Sequence, residues 1–179
     1  MFTMEHKSSL LRVLEVFALE PMRIHYIKEI AKKIELAPTS VKLHIKYLLQ
    51  NGIVLKKKGE IFSGYIANRD NSDFVFYKKI INLIKLKESG LLNFLIESVY
   101  PNAVVLYGSY ARGEDIETSD IDLLIITKAK KRIEVGKFEI ILKRKIHLII
   151  EENLKKLDLN ALKKEIENLG KYKVEKYAK

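Results

Sequence analysis

Hydrophobic positions recur with a helical period through the opening of the chain and mark three amphipathic segments. In the first, Leu10, Leu11, Leu14, Phe17 and Ala18 share one face, and Ser8 or Ser9 offers an N-cap. Pro21 ends it, since proline lacks an N–H and clashes with the preceding turn. The second runs from about Ile24 to Ile34 and buries Ile27, Ile30, Ala31 and Ile34, followed by a turn at Glu35-Leu36-Ala37. The third starts at Pro38-Thr39-Ser40, with proline in the first-turn position it tolerates. Val41, Ile45, Leu48 and Leu49 give it an inner face, and Asn51-Gly52 stops it. Ile53 to Lys57 and Ile61 to Ala67, joined by a Lys58-Gly59 turn, then predict a hairpin.

Polar Asn68 to Asp73 marks a boundary. Phe74, Tyr77, Ile80, Ile81 and Ile84 restore the helical period, and either a connecting or a dimerisation helix fits them. After a break at Lys87 to Gly90, Leu91, Leu92, Leu95, Ile96 and Val99 predict another helix, stopped by Tyr100-Pro101-Asn102. Val104 to Tyr107 is a short β-branched run ending at Gly108-Ser109, and a short helix and a polar loop lead to a second run, Leu123 to Ile126. Lys128 to Arg132 reads as a solvated connector, Glu134 to Leu142 as helix or strand, and Lys143-Arg144-Lys145 as a turn. Ile146 to Ile150 predicts a strand beside the one opened by Asp120. Glu151 to Gly170 predicts a helix broken near Asp158, and the charged tail from Lys171 is expected to fray. The resulting division is 1–70, a connecting helix 71–88, and 89–179.

The candidate chemistry lies between the two apolar runs. Gly108-Ser109 turns the backbone tightly, and N–H groups opening the next helix suit a phosphate. Asp120 and Asp122 are two apart, so on a strand they share a face and suit Mg²⁺ carried by a nucleotide. Gly108-Ser109, ten residues, then Asp120-Ile121-Asp122, flanked by Ala111-Arg112-Gly113 and Ser119, resembles the signature of the DNA polymerase beta-like nucleotidyltransferases. Within them it most resembles the minimal ones, which include the antitoxin partners of HEPN toxins. The resemblance implies that Gly108, Ser109, Arg112 and Ser119 bind the nucleotide, and that Asp120 and Asp122 hold Mg²⁺ (or Mn²⁺) with an NTP, ATP first. It also implies a third carboxylate on a later strand, which helps hold metal and activates the attacking hydroxyl. The matching residue here is His147, with Glu139 the nearby acid that could substitute. A neutral imidazole can accept a proton but ligates Mg²⁺ poorly.

Charge adds a second theme. The net charge is +10, and residues 1–88 carry +7 of it against +3 for 89–179. An anionic partner is therefore expected at the N-terminal half. That half resembles the winged helix-turn-helix domains of archaeal and bacterial regulators. Thr39, Ser40, Lys42, Leu43 and Lys46 would form the outward, groove-entering face of the third helix, and Lys56, Lys57 and Lys58 at the hairpin tip would meet phosphates. His44 reads as a surface or phosphate contact rather than a metal ligand. The absence of Cys excludes disulfides and thiolate metal sites. No membrane-length apolar run or signal-peptide pattern is present, so a cytoplasmic protein is expected. Abundant Lys and Ile with a single Gln, Gln50, fits a thermophile or a biased genome.

The expected fold class is α+β: a winged helix domain, then a nucleotidyltransferase-like mixed sheet with helices. Three functions follow. One is a Mg²⁺-dependent nucleotidyltransferase moving a nucleoside monophosphate to a hydroxyl on protein, RNA or a small molecule. Another is a DNA-binding regulator whose degenerate transferase domain senses a nucleotide. The third is an antitoxin-like protein acting on a HEPN-type partner. Duplex DNA is the expected partner, with a homodimer open.

Overall fold

The computed structural model describes residues 8–59 and 62–153. The helix expected over Glu151 to Gly170 and the tail lie outside the described residues, apart from a few at its start. The chain divides into two units: the first runs to Ile84 and includes Gly113–Thr118, and the second comprises Lys85–Arg112 and the chain from Ser119. The fold is of mixed α and β type, with two small sheets.

The first unit holds α1 (Ser9–Leu19), α2 (Ile27–Lys33), α3 (Pro38–Gln50) and the antiparallel pair β1 (Val54–Lys58) and β2 (Ser63–Ala67). Ser8 caps α1 by accepting from the Leu11 N–H, and Pro38 opens α3. Phe17, Ile30, Val41, Ile45 and Leu48 meet in one core. Two expectations are corrected here. The second helix starts at Ile27, not Ile24, because the His25 backbone pairs with Tyr65 in both directions, at 2.8 and 2.9 Å. Lys56, Lys57 and Lys58 lie along β1, opposite Tyr65, Gly64 and Ser63, rather than at the hairpin tip. Beyond the last pair, the Gly59 N–H donates to the Phe62 carbonyl.

His25 is wholly buried, its ring edge-on to Phe17 and its Nε2 2.9 Å from the Glu20 carbonyl oxygen. Burial holds its pKa below the ordinary 6.5, so the folded ring stays neutral and donates from Nε2. The unfolded chain then takes up the proton first on acidification. The stability this contributes is complete above pH 6.5 and is lost as pH falls toward the folded pKa. Urea midpoints should therefore decline below about pH 6.5 in the wild type and decline less in His25→Gln. Parallel declines would assign the acid loss to other groups.

The helix α4 (Ser72–Glu88) follows the hairpin. Its buried face mixes apolar and polar residues. Phe74 and Ile81 are buried, but so are Lys78 and Asn82, while Tyr77 and Ile80 point outward. Both polar side chains reach Asp115 in the segment Gly113–Thr118, which belongs to the same unit. Lys78 Nζ lies 3.0 Å from Asp115 Oδ2, and Asn82 Nδ2 donates to Asp115 Oδ1 at 2.8 Å. Lys78 also donates to the Ala18 carbonyl. Glu117 accepts from the Met22 N–H, and Arg69 donates to the Glu114 carbonyl.

The second unit is built on a three-stranded sheet of order β3-β4-β5, from Ala103–Tyr107, Ile121–Ile126 and Ile146–Glu151. The pairing of β3 with β4 is antiparallel and that of β4 with β5 parallel. Central β4 is covered on both faces, which explains its unbroken apolar run. Ile121, Leu123 and Ile125 pack in one cluster with Leu91, Leu95 and Val99 of α5 (Leu91–Val99) and with Phe138 of α7 (Gly136–Leu142). Leu124 and Ile126 pack on the other face with Tyr107. The ambiguous stretch Glu134 to Leu142 thus contains a helix, and Ile96, expected inside α5, is half exposed.

Candidate functional site

Strand pairing builds the site row by row. Tyr107, last residue of β3, is the register partner of Asp122, and Asp122 is the register partner of His147. Alternation along each strand puts all three on the face that carries Leu124 and Ile126. His147 Nδ1 stands 3.5 Å from Asp122 Oδ1. The Asp122 side chain is 25% exposed and that of His147 60%, so both remain accessible to a ligand. Asp120 is exposed and lies immediately before β4, so the acid pair spans the mouth of the strand instead of lying wholly within it.

The turn after β3 closes against this row. Gly108 is buried with φ +72°, and a Cβ there would collide with the Asp122 carboxylate. Only glycine fits both the backbone conformation and the space. Ser109 and Arg112 follow on the short helix α6 (Gly108–Arg112), and Ser119 sits in the approach to Asp120; all three are half-buried. Gly113 terminates α6 at φ +71°, where a Cβ would meet the Val75 carbonyl and the Lys79 side chain.

Glu139 is engaged elsewhere. It lies on α7, where its Oε1 accepts from the Ile146 N–H at 3.0 Å and its Oε2 is 3.8 Å from Lys145 Nζ. It therefore anchors the start of β5. Among the described residues no group of three or more His, Cys, Asp or Glu side chains is arranged to hold a metal ion. Asp120 and Asp122 supply the oxygen donors that a hard divalent cation prefers, and the missing Cβ at Gly108 lets the turn pack directly against the Asp122 carboxylate. The residues fit a cation that arrives with a nucleotide better than an independent metal site.

The DNA-binding candidates cluster in the first unit. Thr39, Lys42, Leu43 and Lys46 are exposed on α3, with Ser40 half-buried, and Lys56, Lys57 and Lys58 are exposed on β1. An open groove of about 380 Å³ runs along α3, lined by Thr39, Lys42, Leu43, Ile45, Lys46, Leu49 and Tyr65. His44 is not directed at a ligand: its Nε2 is 2.8 Å from the Ser9 hydroxyl on α1. No helix among the described residues is long and apolar enough to cross a membrane.

Sequence reading missed two groups. Tyr107 was placed in the strand but not in the row with Asp122, which depends on cross-strand register. Asp115, Lys78 and Asn82 went unnoticed; the available signal was two polar residues on the α4 face that also presents Phe74 and Ile81.

A family model described as nucleotidyltransferase domain matches residues 88–178. No curated protein and no solved structure gives a significant match to the chain.

Proposed function

The chain belongs to the nucleotidyltransferase domain family, and from that premise we propose that its second unit binds a nucleoside triphosphate with Mg²⁺ (or Mn²⁺) under the control of a DNA-binding first unit. The observation that carries this reading is the Gly108 turn packed against the Asp122 carboxylate, within the matched region. Asp120 and Asp122 would hold the cation, Gly108 and Ser109 would approach the triphosphate, and Arg112 and Ser119 would position it. The bound cation would neutralise charge on the phosphate oxygens. ATP is the first nucleotide to try.

Transfer to a hydroxyl needs a group that takes its proton, and His147 occupies the strand position beside Asp122. A histidine, not a carboxylate, as the register partner of Asp122 supports a nucleotide sensor over a rapid transferase. Incubation with labelled ATP and Mg²⁺ separates these: pyrophosphate release with label on protein or RNA supports transfer, and binding without release supports sensing. Failure to bind ATP at all would remove both.

For the first unit, three helices ahead of a hairpin, with lysines exposed on α3 and β1, support a winged helix that contacts duplex DNA. Removing Lys42 and Lys46 should weaken duplex binding. Replacing Lys56, Lys57 and Lys58 should flatten the salt dependence by about 0.9 in log–log slope per lost phosphate contact. Electrophoretic or anisotropy titrations across salt concentrations measure both. Unchanged slopes would make this unit a docking module for another macromolecule.

A further inference from the structure

We propose that the outward face of α4 is a self-association surface on which two copies of the chain pair antiparallel about Ile80. Phe76, Tyr77, Ile80 and Leu83 are 54%, 40%, 37% and 55% exposed. The helix is not apolar all round: its opposite side carries Phe74, Lys78, Ile81 and Asn82, all buried. At about 100° per residue, Phe76, Tyr77 and Leu83 fall within about 60° of Ile80, forming one stripe. The Phe76 and Tyr77 rings are already in edge contact, with centroids 5.6 Å apart. A face this apolar on a chain this charged needs an occupant.

The charges at the ends of the stripe identify it. Asp73 and Lys87 are both exposed, and each lies about 20° from the line of Ile80 and about 10 Å from it along the axis. An antiparallel pair centred on Ile80 sets Asp73 of one copy opposite Lys87 of the other, twice by symmetry. It also sets Tyr77 opposite Leu83, and Ile80 opposite itself. A parallel pair would oppose Asp73 to Asp73 and Lys87 to Lys87. The single stripe is thus self-complementary in one orientation, apolar in the middle and oppositely charged at its ends, as a two-fold interface requires. Antiparallel helix dipoles favour the same orientation.

The test uses the full chain. Sedimentation equilibrium at rising concentration should show the mass doubling, and Ile80→Glu should stay monomeric. Asp73→Lys should weaken the dimer about tenfold, since two attractions become repulsions. The charge swap Asp73→Lys/Lys87→Asp should restore it. The chain has no cysteine, so disulfide trapping has no background. Under mild oxidation Ile80→Cys should link to itself. Asp73→Cys should link to Lys87→Cys in a mixture, and neither should link to itself. A wild type that is monomeric at all concentrations would overturn the proposal. So would Asp73→Cys linking to itself, or a dimer that Ile80→Glu leaves intact.

Discussion

Asp115→Ala should cost the first unit about 3–5 kcal/mol, because it breaks a buried ion pair by removing one partner. Lys78 and Asp115 are each only 1% exposed, and their ion pair measures 3.0 Å. Both Asp115 oxygens are engaged, one by Lys78 and the other by Asn82. With the carboxylate gone, Lys78 keeps the Ala18 carbonyl but loses the Asp115 charge, and Asn82 loses the Asp115 oxygen. Lys78→Met should be severe for the converse reason, leaving a buried carboxylate with the amide of Asn82. The double variant Lys78→Met/Asp115→Ala should be more stable than the sum of the single losses allows, since both members of the ion pair are removed together. Urea unfolding of all four proteins gives the coupling energy. A loss below about 1 kcal/mol in Asp115→Ala would mean that water enters and solvates the ammonium, as it does at surface pairs.

This pair also shows where sequence reading stops. The helices of the first unit were legible because their apolar faces follow a period of 3.6, and their stops are local: Pro38 opens α3 and Asn51-Gly52 closes it. The central strand was legible because covering on both faces requires an unbroken apolar run from Leu123 to Ile126. What failed depended on partners distant in sequence. The start of α2 moved to Ile27 because Tyr65, far along the chain, takes up the His25 backbone. The helical period of α4 was legible, but not which of its faces is buried: Tyr77 and Ile80 lie outward, and Lys78 and Asn82, which reach Asp115, share the buried face with Phe74 and Ile81. The spacing from Gly108-Ser109 to Asp122 pointed to the site, but the contact between the Gly108 turn and the Asp122 carboxylate needed the fold. Glu139, an acid near the right strand in sequence, accepts from a backbone N–H at that strand's start, a contact that only the fold reveals.

Metal-dependent ATP affinity should fall more than about 100-fold in Asp120→Asn/Asp122→Asn, given that losing even outer partners of a metal costs 10–100-fold. Calorimetry with ATP and Mg²⁺ measures it, and equal binding by wild type and variant would sink the assignment. His147 should behave differently. It stands in register with Asp122 and has an exposed ring; on the proposed reading it meets the acceptor hydroxyl and does not hold the triphosphate. His147→Ala should therefore leave ATP affinity nearly intact. His147→Asp places a third oxygen donor beside Asp122 and should raise any transfer rate, because it adds an interaction with the attacking group more than with the bound ground state. Glu139→Gln is the control, since that carboxylate caps the Ile146 N–H; it should lower stability without a specific effect on transfer. Wild-type turnover that disappears in His147→Ala would make the histidine the base for the attacking hydroxyl. Turnover that disappears in Glu139→Gln while the protein stays folded would show that the acid leaves Ile146 to serve the reaction. ATP bound by every His147 variant, with no turnover in any and duplex affinity altered by the nucleotide, is the pattern a sensor must give.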